Sequence, residues 1–265
     1  MNQDIIKEIE NQNYEEIIEL FEKFLLEQIE KNKADGLILG LSGGIDSAVL
    51  AYMCKKTLKN KTLALIMPDT DITPKYETED ALKMISLTGI AYKLIDIQPI
   101  VREYSHYLEP NDFAKGNLRA RIRTNILYYY ANAKNYLVLG SSDKSEHLIG
   151  YFTKFGDGAA DIVPIISLYK LQVRKMAAYL GVPQNVIEKK SSAHLWKNHE
   201  AEKEIGISYE EIDSILYCLF DKKLTIDETI AKTQIPRETI DKVYSLYLNS
   251  EHKRLPAQSP NKDQK

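Results

Sequence analysis

The apolar positions along this chain follow two rhythms. Short runs without alternation, "LILGL" (37–41), "TLALIM" (62–67), "AYKLIDI" (91–97) and "YLVLG" (136–140), predict strands buried on both faces, and "DIVPI" (161–165) predicts a short fifth. The stretches between them are spaced for helices. In 4–33, Ile5, Ile9, Ile17, Leu20, Phe21, Phe24, Leu25 and Ile29 fall largely on one side. A helix from Ser47 to Lys56 follows the first strand. "DITPKYETEDALKMISLTG" predicts another, with Thr73 as N-cap, Pro74 at the first helical position and Gly89 as its close. In 116–135, Leu118, Ile122, Ile126, Tyr129 and Ala133 form an apolar stripe. Arg121 and Asn125 border it on one side, Arg119 and Arg123 on the other.

Alternating strands and helices predict an α/β fold: a doubly wound, Rossmann-like, five-stranded parallel sheet with helices on both faces. Ligands of such sheets gather at the carboxyl ends of the strands. From about Gln184 the strands stop, and 208–220, 225–233 and 236–252 predict three helices, with Thr225 and Pro236 near two of their starts. The expected organisation is one domain over 1–265, with an α/β core at about 20–183, a helical C-terminal extension at about 184–257 and a flexible tail at 258–265.

Composition narrows the class. The chain has 265 residues, 44% apolar and 28% charged, as in ordinary globular proteins. Its apolar runs are too short to span a bilayer, and the polar start "MNQDIIKEIENQ" reads as no leader, so no membrane partner is expected. Two distant cysteines, Cys54 and Cys218, in no paired motif, suggest a reducing, cytoplasmic setting. A net charge of −3 offers no global positive field for nucleic acid.

The chemistry concentrates where the first strand hands over to a helix. "SGGIDS" (42–47) lacks the lysine of a Walker loop and the third glycine of a dinucleotide fingerprint. What remains is a glycine turn whose backbone N–H groups and helix N-terminus face an anion, with Ser42 and Ser47 adding hydroxyls. Asp46 is the puzzle, an acid set where phosphates should sit. After the fourth strand, "SSDKSEHLIGYFTKFGDGAAD" mixes polar groups with Tyr151, Phe152, Phe155 and three glycines, the signature of a loop that wraps a substrate. Asp143, Glu146 and His147 fit no zinc spacing, nor do His194 and His199. One carboxylate from Glu146, shared with phosphate oxygens, suits magnesium better.

"SGGIDS" resembles the pyrophosphate-binding motif of the N-type ATP pyrophosphatases, which split ATP between its α- and β-phosphates. Two further blocks, "KGNLRARIRTNILYYYAN" (115–132) and "GSSDKSEHLIGYFTKFGDGAADIVPIISLYKLQVRKMAAYLGVP" (140–183), resemble NAD synthetases. Weaker likenesses follow in 191–213 and in "EHKRLPA" (251–257), so the resemblance spans roughly 20–257. It departs from the family at "KNHEAEKEIG", where many members carry a Gly-Gln-Thr-Asp-type run in a flap over ATP.

The resemblance implies an ammonia-dependent carbon–nitrogen ligase. The nicotinate carboxylate of deamido-NAD attacks the α-phosphate of ATP, pyrophosphate leaves, and ammonia converts the acyl-adenylate to NAD and AMP. It implies an ATP site made by Gly40, Leu41, Ser42, Gly43, Gly44, Ile45, Asp46 and Ser47 with Ser141, Lys170 and Ser192. Arg121, Lys154, Asp161, His252 and Lys253 take deamido-NAD; Asp46 and Glu146 ligate Mg²⁺; Asp157 receives ammonia; Asp46, Asp157 and Lys170 carry the chemistry. A homodimer is expected, with the apolar faces of 4–33 and 116–134 as candidate interfaces. The stretch before Leu37 is too short for an amidase domain, so free ammonia is the expected nitrogen donor. Rivals are another ATP pyrophosphatase acting on tRNA or on a guanine nucleotide precursor, and a regulatory domain that binds ATP without turnover. The lack of basic excess and of paired cysteines speaks against a tRNA enzyme, and the retained Asp46 and Glu146 against a mere binder.

Overall fold

The computed structural model describes residues 2–192, 194–196 and 199–259. The first strand, β1 (Gly36–Gly40), is preceded by helices α1 (Gln3–Glu10) and α2 (Tyr14–Asn32) and followed by α3 (Ile45–Leu58). Then come β2 (Thr62–Ile66), α4 (Lys75–Thr88), β3 (Ala91–Leu94), α5 (Gln98–Ser105), α6 (Asp112–Lys134) and β4 (Tyr136–Leu139). The strands pair in parallel in the order β3-β2-β1-β4.

Successive side chains of a strand point to opposite faces, and the two cores follow that pleat. Leu37, Leu39, Ala64 and Ile66 join one core with α2, α3, α4 and the later α8 (Lys170–Tyr179). Ile38, Leu63, Leu65 and Val138 join the other with α5 and α6. Helix α3 is buried continuously from Ser47 to Cys54, because it lies between the sheet and other helices. A run as uniformly apolar as "AVLAYMC" suits only such a place.

The sheet has four strands, not five. Segment 161–165 makes one parallel bridge, Ile162 to Leu139, and then enters a 3₁₀ turn at Pro164–Ser167. Proline has no N–H to continue a ladder, so "DIVPI" stops after a single rung. Residues 4–33 form two helices rather than one. The break lies at Asn11–Asn13, where Asn13 caps α2 by accepting from the Glu16 N–H at 3.4 Å. Thr73 is not the N-cap of α4. Pro74 holds that place, and the Thr73 hydroxyl accepts from the Asp69 N–H. Gly89 closes the helix with φ 68°, as its sequence position predicts.

The remaining helices are α7 (Lys144–Ile149), α8, α9 (Gln184–Ile187), α10 (Ala201–Ile205), α11 (Tyr209–Leu216), α12 (Ile226–Thr233), α13 (Arg237–Asn249) and α14 (Glu251–Arg254). Helix α11 runs on into a π-helical turn at Tyr217–Asp221. Ile5 and Ile9 of α1 pack with Tyr209, Ile212, Ile215, Ile240 and Val243, so the first helix is buried among the last ones. Most of the apolar face of 4–33 is thus packed inside its own chain, with Leu20 left 62% exposed. Of the expected tail, 260–265 lies outside the described residues, as do Ala193, Lys197 and Asn198 of the expected flap. No helix among the described residues is long and apolar enough to cross a membrane.

Candidate active site

Connections leave β1 toward β2 and β3 on one side, while β4 pairs on the other. The carboxyl ends of β1 and β4 therefore part, and a crevice opens at that switch point. A cavity of about 260 Å³ occupies it. The β1–α3 loop, the ends of β2 and β4, one face of α6, residues 189–192, His194 and Leu195 line it.

The loop is held by its own serines. Ser47 Oγ donates to the Gly44 carbonyl (3.0 Å) and lies 3.1 Å from Ser42 Oγ, while the Ser42 N–H donates to Ser47 Oγ. Gly43 has φ 90°, and a Cβ there would stand 2.3 Å from the Glu77 carbonyl oxygen. Both facts require glycine at that position. Gly40, Leu41, Ser42, Gly44, Ile45 and Asp46 line the cavity; Gly43 and Ser47 shape the loop from behind.

Asp46, Glu146 and Lys170 meet beside this loop. Lys170, fully buried at the start of α8, donates to both Asp46 oxygens (2.9 and 2.8 Å) and to Glu146 Oε1 (3.0 Å). Asp143 stands 2.7 Å from the same ammonium and caps α7 by accepting from the Glu146 N–H. Burial opposes the charge on Lys170, but the carboxylates of Asp143, Asp46 and Glu146 outweigh it and hold its pKa well above the ordinary value. Burial pushes Glu146 up to about 8 against the pull of Lys170, with Asp143 and Asp46 adding to the rise. Asp143 is raised for the same first reason. By sequence Asp143 stands out only as a zinc candidate of the wrong spacing, although Asp143-x-x-Glu146 is a helix-start signature that marks it as a cap.

Ser141 and Ser192 both line the cavity. Ser192 Oγ donates to the His199 carbonyl and accepts from the His194 N–H, which ties these three residues together beside the opening. Asp157 opens into the cavity too. The surrounding protein desolvates its carboxyl and raises its pKa, against the Thr153 N–H that donates to it at 3.0 Å.

Of the five residues expected at deamido-NAD, four gather on the loop after α7. The Arg121 guanidinium donates to the Lys154 carbonyl (Nη2, 3.2 Å), and the Lys154 ammonium donates to the His252 carbonyl. Lys253 donates to the carbonyls of Gly150 (2.7 Å) and Phe152 (2.9 Å). Asp161 lies apart, accepting from the Val138 N–H (2.7 Å) and the Tyr128 hydroxyl (3.2 Å). None of the five lines the cavity.

Helix α6 turns differently from its apolar stripe. Gly116, Arg119, Ala120, Ile122, Thr124 and Ala131 are buried, while Tyr129 is 69% exposed. Arg119 donates to Asp69 (2.7 Å) and to the Leu195 carbonyl (3.0 Å), and Arg123 faces the cavity. A second polar cluster at the rim, Glu77 with Lys189 (2.9 Å) and His194 (3.0 Å), also escaped the sequence reading, since nothing in its spacing joins residues so far apart.

Over its length the chain is similar to known proteins. The family model for NAD synthase matches residues 17–257. The NH(3)-dependent NAD(+) synthetase of Hyperthermus butylicus is 46% identical over 96% of this chain and 94% of its own. An NMN synthetase structure from Francisella tularensis superposes with TM-score 0.84 at 36% identity, covering 95% of this chain and all of that one. An NH3-dependent NAD synthetase structure from Campylobacter jejuni does so with TM-score 0.81 at 33% identity, covering 94% of this chain and all of that one. With the match running almost from end to end, the chain belongs to the NAD synthase family.

Proposed function

We propose that this chain amidates deamido-NAD with ammonia at the expense of ATP, giving NAD, AMP and pyrophosphate. The observation that carries this reading is the meeting of Asp46, Glu146 and Lys170 beside the serine–glycine loop, with Asp157 opening into the same cavity. A carboxylate resists amines because oxide is a poor leaving group, and adenylation replaces it with AMP. The nicotinate oxygen forms a bond to the α-phosphorus, and the bond to the β-phosphate oxygen breaks with its electrons passing to pyrophosphate. Ammonia then bonds to the acyl carbon, AMP departs with the electrons of the acyl–oxygen bond, and a proton is lost.

This sequence needs positioning and charge balance rather than a nucleophilic side chain. The 40–47 loop holds the departing pyrophosphate, with Ser141 and Ser192 completing the ATP site. Lys170 neutralises charge next to it, and Asp157 receives ammonia or ammonium. Arg121, Lys154, Asp161, His252 and Lys253 bind deamido-NAD. Three carboxylates already converge on one cation at Lys170, two of them, Asp46 and Glu146, lining the cavity, and magnesium is commonly held by one or two carboxylates plus phosphate oxygens. Asp46 and Glu146 are therefore the residues that would hold Mg²⁺, which when bound neutralises phosphate charge. The enzyme works in the cytoplasm as a homodimer. Support for the dimer comes from an apolar groove on α5 and α6, lined by Ile100, Tyr104, Ile126 and Tyr129.

The same chemistry on a mononucleotide acid, giving NMN, is the second reading, favoured by the likeness to an NMN synthetase. Both are tested by incubating the purified protein with ATP, Mg²⁺ and ammonium plus either deamido-NAD or nicotinate mononucleotide. NAD and AMP in equal yield from the dinucleotide are expected. Turnover of the mononucleotide alone would move the assignment to the second reading, and AMP release with neither acid would end both.

A further inference from the structure

Helix α6 sends two arginines, four residues apart and so on one face, toward the cavity side. Arg119 has its partners there, an anion included, with Nε on Asp69 and Nη1 on the Leu195 carbonyl. Arg123 lacks the anion. Its Nε donates to the Met67 carbonyl at 2.9 Å, which fixes the guanidinium at the end of β2. Among the described residues its two terminal nitrogens donate to no protein acceptor, and the side chain lines the cavity. Asp69, the carboxylate that pulls most on Arg123, is already held by Arg119. Enclosure by protein lowers the Arg123 pKa to about 10, so it stays charged at neutral pH.

A guanidinium enclosed by protein without an anionic partner is costly, and the cost is recovered when an anion arrives. The place of Arg123 says which anion. Gly156 packs so closely on Ala120 that a Cβ would stand 3.0 Å from the Ala120 methyl, which brings Asp157 to the α6 wall beside Arg123. The phosphate loop and Asp46 belong to β1–α3, whose core lies on the other face of the sheet. The space between them is where the acid to be activated must meet the phosphate that activates it.

We propose that the terminal nitrogens of Arg123 bind the anionic oxygens at the junction between the substrate carboxylate and the α-phosphate of ATP. This rests on the reaction given above. While the oxygen–phosphorus bond forms and pyrophosphate leaves, the planar fork of Arg123 keeps the two reacting groups together and balances charge on their non-bridging oxygens. Asp157 beside it then meets ammonia at the acyl carbon.

The test compares wild type, Arg123→Gln and Arg123→Lys. Deamido-NAD-dependent exchange of labelled pyrophosphate into ATP reports adenylation without ammonia, and calorimetry reports ATP binding without the acid. We expect exchange to fall about a hundredfold in Arg123→Gln. Added guanidinium ion should restore part of it, and Arg123→Lys should retain more than Arg123→Gln. If the α-phosphate is the main partner, affinity for ATP falls as well; if the carboxylate is, ATP affinity holds and the KM for deamido-NAD rises. Exchange within twofold of wild type would overturn the inference. So would a loss that merely follows a fall in melting temperature, with no rescue by lysine or guanidinium. Absence of exchange in wild type would sink the reaction assignment and this inference with it, whereas equal exchange in wild type and variant sinks the inference alone.

Discussion

Lys170 carries the central charge of the site, and its surroundings are unbalanced. One ammonium faces Asp46, Asp143 and Glu146, a surplus of negative charge where little water reaches. The raised pKa of Asp143 and of Glu146 is the protein's response, and a further cation among these oxygens would relieve the same strain. The acid in the phosphate loop thereby acquires a role, since a carboxylate with a cation between it and a phosphate attracts instead of repelling. Asp46→Asn should slow adenylation by about a hundredfold or more, the usual cost of losing a preorganised electrostatic contact. Binding of deamido-NAD should survive, because the residues proposed to hold it lie on α6, on the loop after α7 and on α14. Pyrophosphate exchange and calorimetry check the two halves; an unchanged exchange rate would remove Asp46 from the mechanism. The loop residues were legible because six neighbours carry the pattern. Arg123 was only half legible: its place beside the stripe could be counted, but not which arginine would find its partners inside the protein.

At the scale of elements, hydrophobic rhythm located the strands and most helices, and failed where a helix borders a cavity. On α6 the spacing marks an apolar stripe as a candidate interface but does not say which face meets the sheet end. The face turned to the sheet end is built of glycine, alanine, threonine and two arginines, since the cavity wall is polar and crowded. The fifth strand failed for a local reason, the proline at 164. What no rhythm reveals is the clamp that joins α7, α8 and α11. Asp213 of α11 accepts from the Ser145 hydroxyl and from the Leu171 N–H (2.9 Å), and Ser145 Oγ in turn accepts from the Lys170 N–H (2.9 Å). One carboxyl thus ties down the starts of the helices that bear Glu146 and Lys170. Burial pushes Asp213 up to about 7, despite those two donors, from 3.8 for a free side chain. Between these values the folded chain holds a proton that the unfolded chain has released. Its contribution to stability is full below about pH 4 and is lost as pH rises to 7, by up to about 1.4 kcal/mol per unit. Asp213→Asn, neutral throughout, should flatten that decline when melting temperature is followed from pH 4 to 8. An identical slope in the variant would take Asp213 out of the linkage.

The outward-turned stripe of α6 gains its meaning only at the scale of the whole molecule. Ile100, Tyr104 and Tyr129 are 37%, 42% and 69% exposed around a groove that Ile95, Ile122 and Ile126 floor. Beside it β3 is the sheet's edge, exposed along its length, with Tyr92 and Leu94 on the surface. An apolar groove next to an open strand edge is a hazard for a free monomer and an asset for a dimer. A second copy of the chain is the occupant we propose. Two-fold pairing would match the patch to itself, as most soluble homo-oligomers do. The α1–α2 face offers less, for Ile5, Ile9, Ile18, Phe21, Leu25 and Ile29 are already buried and, among the described residues, the exposed Leu20 and Leu26 flank no groove of this kind. Tyr129→Glu places a charge at the most exposed point of the groove while touching neither the phosphate loop nor Lys170. Light scattering at micromolar concentration should give twice the chain mass for wild type and the chain mass for the variant, with little change in melting temperature. A wild type that stays monomeric, or a Tyr129→Glu chain that still pairs, would move the dimer away from this face.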